Sequence, residues 1–447
     1  MVGFFIPKNL IQLKGENKMT KRRLETIAVH AGQETPDSAT TARAVPIYRT
    51  SSFVFKNTEH AANLFGLKEL GNIYSRLTNP TNAVLEERIT QLEGGAASVV
   101  VSSGTSAIFY AIITLAEAGD EIVSANNLYG GTYTQFDAIL PKLGINTKFV
   151  DPHDPKNFEK AITPKTRALF IETIGNPVLD FTDVKAVADI AHKHGLPLIV
   201  DATFTTPYLL RTIDYGADIV VNSLTKWIGG HGTAIGGSIT DSGKFNWKGG
   251  KHKLLTEPDN NYHGLRWALD LPEALAPIAF ALRVRTVPLR NLGAALSPDN
   301  AWIFLQGAET LPLRIVRHSE NALAVAQYLK KHPKVAWVRY PGLTDDPTYP
   351  TASQYLKKGF GGMVVFGVKG GYDAAVKIIS NIDLFSHLAN VGDAKSLILH
   401  PASTSHSQLS EKEQLAGGLT PDLIRLSIGI EHIDDIIEAL DGALAKI

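Results

Sequence analysis

The sequence Ser223-Leu224-Thr225-Lys226-Trp227-Ile228-Gly229-Gly230-His231-Gly232 places a lysine shortly after a mainly apolar segment at Ala217 to Val221. A lysine at the end of a buried strand is unusual, because an unpaired ammonium group is costly to bury. An imine with an aldehyde removes that cost, and desolvation makes the free amine more nucleophilic. Ser223 and Thr225 offer hydroxyls that could hold a phosphate oxygen. On this stretch alone, a lysine that reaches solvent is an equal alternative.

A carboxylate precedes this lysine by 25 residues, a distance that suits one helix and one further strand. Asp201 closes the apolar run Leu196 to Val200. An ionised aspartate at such a strand end can pair with a pyridinium nitrogen and keep it protonated. An aspartate in this position is also a common helix or turn cap.

A third signal is the small-residue turn Ser102-Ser103-Gly104-Thr105-Ser106-Ala107, between a strand at Ser98 to Val101 and a helical pattern at Ala107 to Ala116. Backbone amides at a helix start form a natural phosphate cradle, although small residues also simply pack tight turns. The turn has neither the Walker lysine nor the G-x-G-x-x-G pattern of nucleotide loops. The cradle, carboxylate and lysine occur in the order that a pyridoxal 5'-phosphate (PLP) site requires.

Composition narrows the class of protein. The chain has 447 residues, 44% of them hydrophobic, which is enough for a large core and two or three domains. Lys+Arg and Asp+Glu both number 44, so nothing favours a nucleic acid as a partner. The absence of cysteine excludes disulfides, thiolate metal sites and a thiol nucleophile. Any sulfur that the protein handles must arrive on a small molecule or on a partner.

Short apolar runs alternate with amphipathic stretches from about Ala83, which predicts an α/β domain with a mostly parallel sheet. From Ser297-Pro298 onward the pattern favours a smaller α+β domain. The aperiodic stretch Ser242 to Tyr262 is interpreted as a surface insertion. Met1 to Lys18 is expected to be a disordered extension, with Met19 as an alternative start. No segment approaches the ~20 apolar residues of a membrane span, so we expect a soluble cytoplasmic protein.

Several motifs resemble those of the Cys/Met-metabolism (transsulfuration) family of PLP-dependent enzymes, from about Thr26 to the C-terminus. Within that family the chain is most similar to the O-acetylhomoserine sulfhydrylases. Besides the lysine stretch, the motifs are Val29-His30-Ala31-Gly32, Tyr74-Ser75-Arg76, Asn127-Leu128-Tyr129-Gly130-Gly131-Thr132, Glu172-Thr173-Ile174-Gly175-Asn176-Pro177, Leu388-Ala389-Asn390-Val391-Gly392-Asp393 and Arg425-Leu426-Ser427-Ile428-Gly429-Ile430-Glu431.

The resemblance implies the PLP-dependent transferase fold, which is aspartate-aminotransferase-like (fold type I). It divides the chain into the extension 1–18, an N-terminal arm at 19–82, a PLP-binding domain at 83–296 and a C-terminal α+β domain at 297–447. The PLP-binding domain would contain a mostly parallel seven-stranded sheet. The family also implies a homodimer or homotetramer whose active sites are shared between subunits.

The resemblance further implies roles around the cofactor. Lys226 would be the catalytic Schiff-base lysine, Asp201 would pair with the pyridinium nitrogen, and Tyr129 would stack on the ring and assist proton transfer or leaving-group departure. The residues expected to bind phosphate are Gly104, Thr105, Ser223 and Thr225.

The resemblance assigns the other site residues to the substrate, the ring oxygen and the neighbouring subunit. Tyr74 and Arg76 match a pair that reaches the phosphate of the neighbour, although an aromatic anchor and a surface arginine would look the same. Asn176 would lie near the ring oxygen. Arg425 would hold the α-carboxylate of the substrate, because its planar fork fits a carboxylate. Asn390 is also expected to bind substrate.

Two departures from the family pattern bear on specificity. Asp201-Ala202-Thr203 stands where family members often have Asp-Asn-Thr, so a contact at the cofactor edge is in doubt. Gly131 stands where the γ-lyases carry a cysteine, which favours the sulfhydrylases. His231, His400 and His406 form no ligand-spaced cluster, so we expect no metal site.

The expected reaction is the replacement of acetate on O-acetyl-L-homoserine by sulfide, which gives L-homocysteine for methionine biosynthesis. Cystathionine γ-synthase, O-succinylhomoserine sulfhydrylase and methionine γ-lyase activities stay open as alternatives, as does a sulfur-carrier protein as the thiol donor. A catalytically silent PLP-binding scaffold is disfavoured by Lys226, Asp201 and Arg425. A nucleotide-dependent enzyme is disfavoured by the missing nucleotide fingerprints.

Overall fold

The first sheet has seven strands and forms the centre of the larger part of the molecule. The computed structural model describes residues 21–405, 407, 412, 414 and 418–447, so the expected extension Met1 to Lys18 lies outside the described residues. The strands of the first sheet are β1 (Ala97–Val101), β2 (Glu121–Ala125), β3 (Asn146–Val150), β4 (Thr166–Glu172), β5 (Leu198–Asp201), β6 (Ile219–Ser223) and β7 (Gly237–Asp241). Their order across the sheet is β1-β7-β6-β5-β4-β2-β3.

Strands β2 to β6 pair in parallel, and only β7 runs antiparallel to its neighbours β1 and β6. This confirms the predicted mostly parallel seven-stranded sheet. In the register of the parallel strands, Glu172 pairs with Asp201 and Asp201 pairs with Val221. The carboxyl ends of β4, β5 and β6 therefore lie side by side, and the residues that follow them meet at one edge of the sheet.

Helices pack around this sheet, and several begin at a side chain that caps the first turn. Ser103 accepts a hydrogen bond from the Ser106 amide at the start of the helix that follows β1, and Asp183 caps the helix that precedes β5. The helices are α1 (Leu24–His30), α2 (Thr58–Phe65), α3 (Pro80–Glu93), α4 (Gly104–Leu115), α5 (Gly130–Thr134), α6 (Lys156–Ala161), α7 (Val184–Lys193), α8 (Thr206–Leu209), α9 (Lys253–Thr256), α10 (Ala279–Val284) and α11 (Arg290–Leu292).

The second sheet has five strands in the order β10-β11-β12-β9-β8. Its strands are β8 (Val335–Arg339), β9 (Met363–Val368), β10 (Ser386–His387), β11 (Leu397–Leu399) and β12 (Leu423–Ser427). Its helices are α12 (Pro298–Lys331), α13 (Tyr349–Tyr355), α14 (Gly371–Asn381) and α15 (Ile433–Leu444). Buried apolar side chains form one cluster around each sheet. The domain boundaries given above stay predictions.

The stretch Ser242 to Tyr262 is not a surface insertion, so that interpretation was wrong. Trp247, His252 and Leu255 are buried, and the Trp247 ring stacks on Phe280 with 5.5 Å between the ring centroids. The stretch folds into single turns too short to leave a periodic pattern in the sequence. Across the described part of the chain, no helix is both long and apolar enough to cross a membrane.

Candidate active site

Lys226 lies in the loop after β6, and its amine points to the second sheet. Its Nζ donates a hydrogen bond of 2.6 Å to Oδ1 of Asn390, in the loop between β10 and β11. Burial, and to a lesser degree the charge of Arg425, lowers the pKa of Lys226 from 10.5 to about 8. An amine with such a pKa is partly neutral near physiological pH, so it can act as a nucleophile or as a base.

The loop after β6 that contains Lys226, called the lysine loop below, is held in place by hydrogen bonds from α12. Arg314 donates hydrogen bonds to the carbonyl oxygens of Trp227, at 2.7 Å, and Ile228, at 3.0 Å. Gly392 packs so closely that a Cβ atom there would lie 2.6 Å from the Trp227 amide nitrogen. The backbone beside Lys226 is therefore fixed by groups from the C-terminal part of the chain.

Asp201 ends β5 and has a buried neighbour that sequence reasoning missed. Its Oδ1 accepts a hydrogen bond of 2.9 Å from the Thr203 amide, and burial raises its pKa from 3.8 to about 6. Glu172, its partner in the sheet register, is only 6% exposed. Burial and the charge of Asp201 raise the pKa of Glu172 well above its usual range. The signal available in the sequence was that Glu172, like Asp201, ends a strand of the predicted sheet.

The predicted phosphate cradle is assembled at the same edge of the sheet. Gly104 and Thr105 form the first turn of α4, where backbone amides have no partner within the helix and can bind an anion. A Cβ atom on Gly104 would lie 2.7 Å from Cβ of Ser223, so glycine allows the helix to approach β6. The Thr225 hydroxyl donates to the Gly236 carbonyl at 3.2 Å and accepts from its amide at 3.0 Å.

Arg425 is a buried cation on β12 beside the lysine. Its Nη1 donates to Oδ1 of Asn176 at 3.2 Å, and burial lowers its pKa to about 10. Within the residues that the structure describes, Arg425 has no ion-pair partner, while Tyr129 is close enough to act on its charge. A guanidinium group that is only 5% exposed is suited to an incoming carboxylate.

Tyr129 precedes α5 and is 48% exposed. Its backbone amide donates a hydrogen bond of 2.8 Å to Oε1 of Glu172. Its ring lies over Gly131, because a Cβ atom at position 131 would be 2.5 Å from Cε1 of the tyrosine. The glycine that departs from the γ-lyase pattern thus leaves room for this ring position.

Two predicted site residues lie elsewhere in this single chain. Tyr74 and Arg76 are on the arm before α3, where the Arg76 guanidinium lies 5.1 Å from the Tyr74 ring centroid. Over the described ranges, no hydrogen bond or ion pair joins either residue to the site. Their role at a neighbouring subunit stays a prediction.

The histidines considered for a metal are dispersed. His231 Nδ1 lies 2.7 Å from the Gly229 carbonyl oxygen, and His400 contacts Ser403 and the Pro421 carbonyl. His406 is outside the described residues. Where the chain is described, no three His, Asp or Glu side chains are grouped to hold a metal ion.

The site fits PLP on its own geometry. In the described part of the chain Asp201 has no cationic partner, and a protonated ring nitrogen would supply one. The amides of Gly104 and Thr105 would receive the phosphate beside Ser223. Lys226 supplies an amine with a lowered pKa.

Comparison with known proteins agrees with this geometry. The family model for Cys/Met metabolism PLP-dependent enzymes matches residues 25–445. The chain belongs to this family. The resemblance and the predicted PLP cofactor are thereby confirmed.

Relatives within the Cys/Met-metabolism family match over nearly the whole chain. An O-acetyl-L-homoserine sulfhydrylase of Leptospira meyeri is 55% identical and covers 97% of this chain and 99% of its own. A homocysteine synthase of Schizosaccharomyces pombe is 52% identical, and the match covers 94% of this chain and 97% of the relative. A crystal structure from Campylobacter jejuni, provisionally named an O-acetylhomoserine (thiol)-lyase, carries N'-pyridoxyl-lysine-5'-monophosphate. It has a TM-score of 0.91 and 42% identity, and the match covers 95% of this chain and 100% of that chain, which confirms the predicted fold class.

Proposed function

We propose that the protein replaces the acetate of O-acetyl-L-homoserine with sulfide and releases L-homocysteine and acetate. The observation that carries this proposal is the buried guanidinium of Arg425 beside the amine of Lys226, which together form a subsite for an α-amino acid. The names of the relatives at 55% and 52% identity support the same reaction.

PLP, when bound, supplies an electron sink for negative charge at the α-carbon of the substrate. Lys226 would remove the α-proton through Nζ and return it, because its pKa of about 8 is close to physiological pH. Asn390 accepts a hydrogen bond from the same nitrogen and so limits the directions in which the amine can turn. Asp201 would hold the ring nitrogen in its protonated form.

Arg425 would bind the substrate carboxylate through its two-donor fork, with Asn176 fixing one edge of the guanidinium group. Tyr129 would cover the cofactor ring and assist the leaving group. Because the chain has no cysteine, it cannot store sulfur as a persulfide. The nucleophile must therefore arrive as free sulfide, as a small-molecule thiol or on a sulfur-carrier protein.

The proposal includes a cytoplasmic homodimer or homotetramer in which Tyr74 and Arg76 complete the site of the neighbour. The exposure of both residues on the arm supports this part. Mixing an inactive Lys226→Ala variant with an inactive Arg76→Ala variant should restore up to one quarter of the wild-type activity, since one site of each mixed dimer is intact. No recovery in a verified mixed dimer would contradict shared sites.

Product analysis tests the proposed reaction. Purified PLP-loaded protein is given O-acetylhomoserine with sulfide, with cysteine, or with no nucleophile, and O-succinylhomoserine with sulfide. Homocysteine formed from the acetyl substrate and sulfide would support the proposal. Cystathionine from the cysteine reaction would favour cystathionine γ-synthase, and 2-oxobutyrate formed without a nucleophile would favour a lyase. Preference for the succinyl substrate would favour an O-succinylhomoserine sulfhydrylase.

A further inference from the structure

Glu172 is a buried carboxyl at the site edge that the mechanism above does not use. It ends β4 in register with Asp201 at the end of β5. Side chains at paired positions of parallel strands project from the same face of the sheet, roughly 5 Å apart at the backbone. Two acidic groups, Glu172 and the proposed partner of the ring nitrogen, Asp201, are therefore held side by side at this edge of the sheet.

The contacts of Glu172 are specific. Its Oε1 accepts the backbone N–H of Tyr129 at 2.8 Å, and Tyr129 is the residue directly before α5. No lysine, arginine or histidine in the described part of the chain lies within ion-pair distance of Glu172. A buried carboxylate without a cation is costly, whereas a protonated carboxyl can still accept an amide hydrogen bond.

The carboxyl groups of Glu172 and Asp201 also differ in their pKa. Asp201 accepts hydrogen bonds from the amide and the hydroxyl of Thr203, and burial raises its pKa only to about 6. Burial, together with the charge of Asp201, raises the pKa of Glu172 well above its usual range. Asp201 therefore ionises first. This order suits the site, because the charge is needed on Asp201, the residue that would pair with the ring nitrogen.

We propose that Glu172 is a positioning residue whose neutral carboxyl fixes the Tyr129 amide, so that the tyrosine ring is held near Arg425 while Asp201 alone carries the charge of the pair. This inference rests on the proposed function only for the role of Tyr129 in turnover. The hydrogen bond and the charge order belong to the chain itself.

Two variants separate the hydrogen bond from the charge. Glu172→Gln keeps the shape and the acceptor oxygen of a neutral carboxyl, while Glu172→Leu keeps similar volume without an acceptor. Amide hydrogen exchange of the PLP-loaded protein is measured on peptides that contain Tyr129. We expect exchange in Glu172→Gln to stay within about twofold of wild type, and the Tyr129 amide in Glu172→Leu to exchange on the order of tenfold faster. Peptides from the second sheet control for global opening.

A double-mutant cycle tests whether the effect on turnover passes through the tyrosine. Glu172→Leu should lower kcat about tenfold in the wild-type background, and by less than about twofold in Tyr129→Ala, where no ring is left to position. The substrate is whichever one product analysis identifies. A Leu effect on kcat that persists in Tyr129→Ala would assign Glu172 a merely structural role.

The exchange measurement needs no substrate, so it remains informative if the proposed reaction fails. Unchanged protection of the Tyr129 amide in Glu172→Leu would overturn the positioning role. Exchange in Glu172→Gln as fast as in the leucine variant would overturn the neutral form of the carboxyl.

Discussion

Lys226 Nζ and Asn390 Oδ1 lie 2.6 Å apart although 164 residues separate them in the sequence. The lysine follows a strand of the first sheet, whereas the asparagine belongs to a loop of the second sheet. The reactive amine is thus oriented by both parts of the molecule.

Removal of this acceptor should make the ammonium form of Lys226 less stable. PLP-free protein should take up PLP at a rate that rises through about pH 8 and levels off above it, because only the neutral amine attacks the aldehyde. In Asn390→Ala the midpoint should move to lower pH. Stopped-flow absorbance measures both profiles, with the exposed Asn381→Ala as a control. Identical midpoints would show that Asn390 does not hold the amine.

Arg425→Lys should bind the substrate poorly although the charge is kept. A lysine cannot reproduce the planar fork, and the Asn176 oxygen would lose its donor. We expect kcat/KM to fall about 100-fold, mainly through KM. Steady-state kinetics measure this, and Arg317→Lys on the exposed face of α12 serves as a matched control. A normal KM would remove the carboxylate role.

PLP affinity should weaken as the pH falls through about 6. Above that pH Asp201 is ionised and attracts the positive ring nitrogen, and below it the neutral carboxyl does not. Asp201→Asn should bind PLP weakly and without this pH dependence. Fluorescence titration of PLP-free protein at several pH values tests the difference. If the asparagine variant kept the same pH profile, another group would be responsible.

Gly104→Ala should weaken PLP binding at the phosphate end. The added methyl group would lie 2.7 Å from Cβ of Ser223, so the start of α4 must move away from β6. We expect affinity to fall roughly tenfold or more, as one or two phosphate contacts lengthen. Gly249→Ala is the control, because nothing lies within 4 Å of a Cβ atom there. Equal affinities for the two variants would contradict the cradle.

Much of the fold could be predicted from local patterns. The apolar runs at Ser98 to Val101, Leu196 to Val200 and Ala217 to Val221 correspond to β1, β5 and β6. The helical pattern at Ala107 to Ala116 corresponds to α4, which begins where Ser103 caps it. Lys226 could be identified from the sequence because an ammonium group at the end of a buried strand is costly unless the amine has a chemical role. The antiparallel direction of β7 depends on long-range pairing, which periodicity does not report.

The parts of the site that sequence reasoning missed depend on tertiary neighbours. Glu172 is informative only once β4 is known to lie beside β5, which places two carboxyls together. The burial of Trp247 likewise depends on Phe280, which is distant in sequence. Tyr74 and Arg76 depend on a second subunit, so neither the sequence pattern nor one chain tests their role.

Helix α12 begins after Ser297, and its Arg314 donates hydrogen bonds to the carbonyl oxygens of Trp227 and Ile228, next to Lys226. Each helical residue advances the backbone by about 1.5 Å and turns it by about 100°. Deletion of one residue between Pro298 and Arg314 would therefore swing the guanidinium group to another side of the helix. The number of residues between Pro298 and Arg314 therefore determines the direction in which Arg314 points around the helix axis as well as its distance along it. Insertions or deletions before Arg314 should be tolerated only when their length is close to a whole number of helical turns.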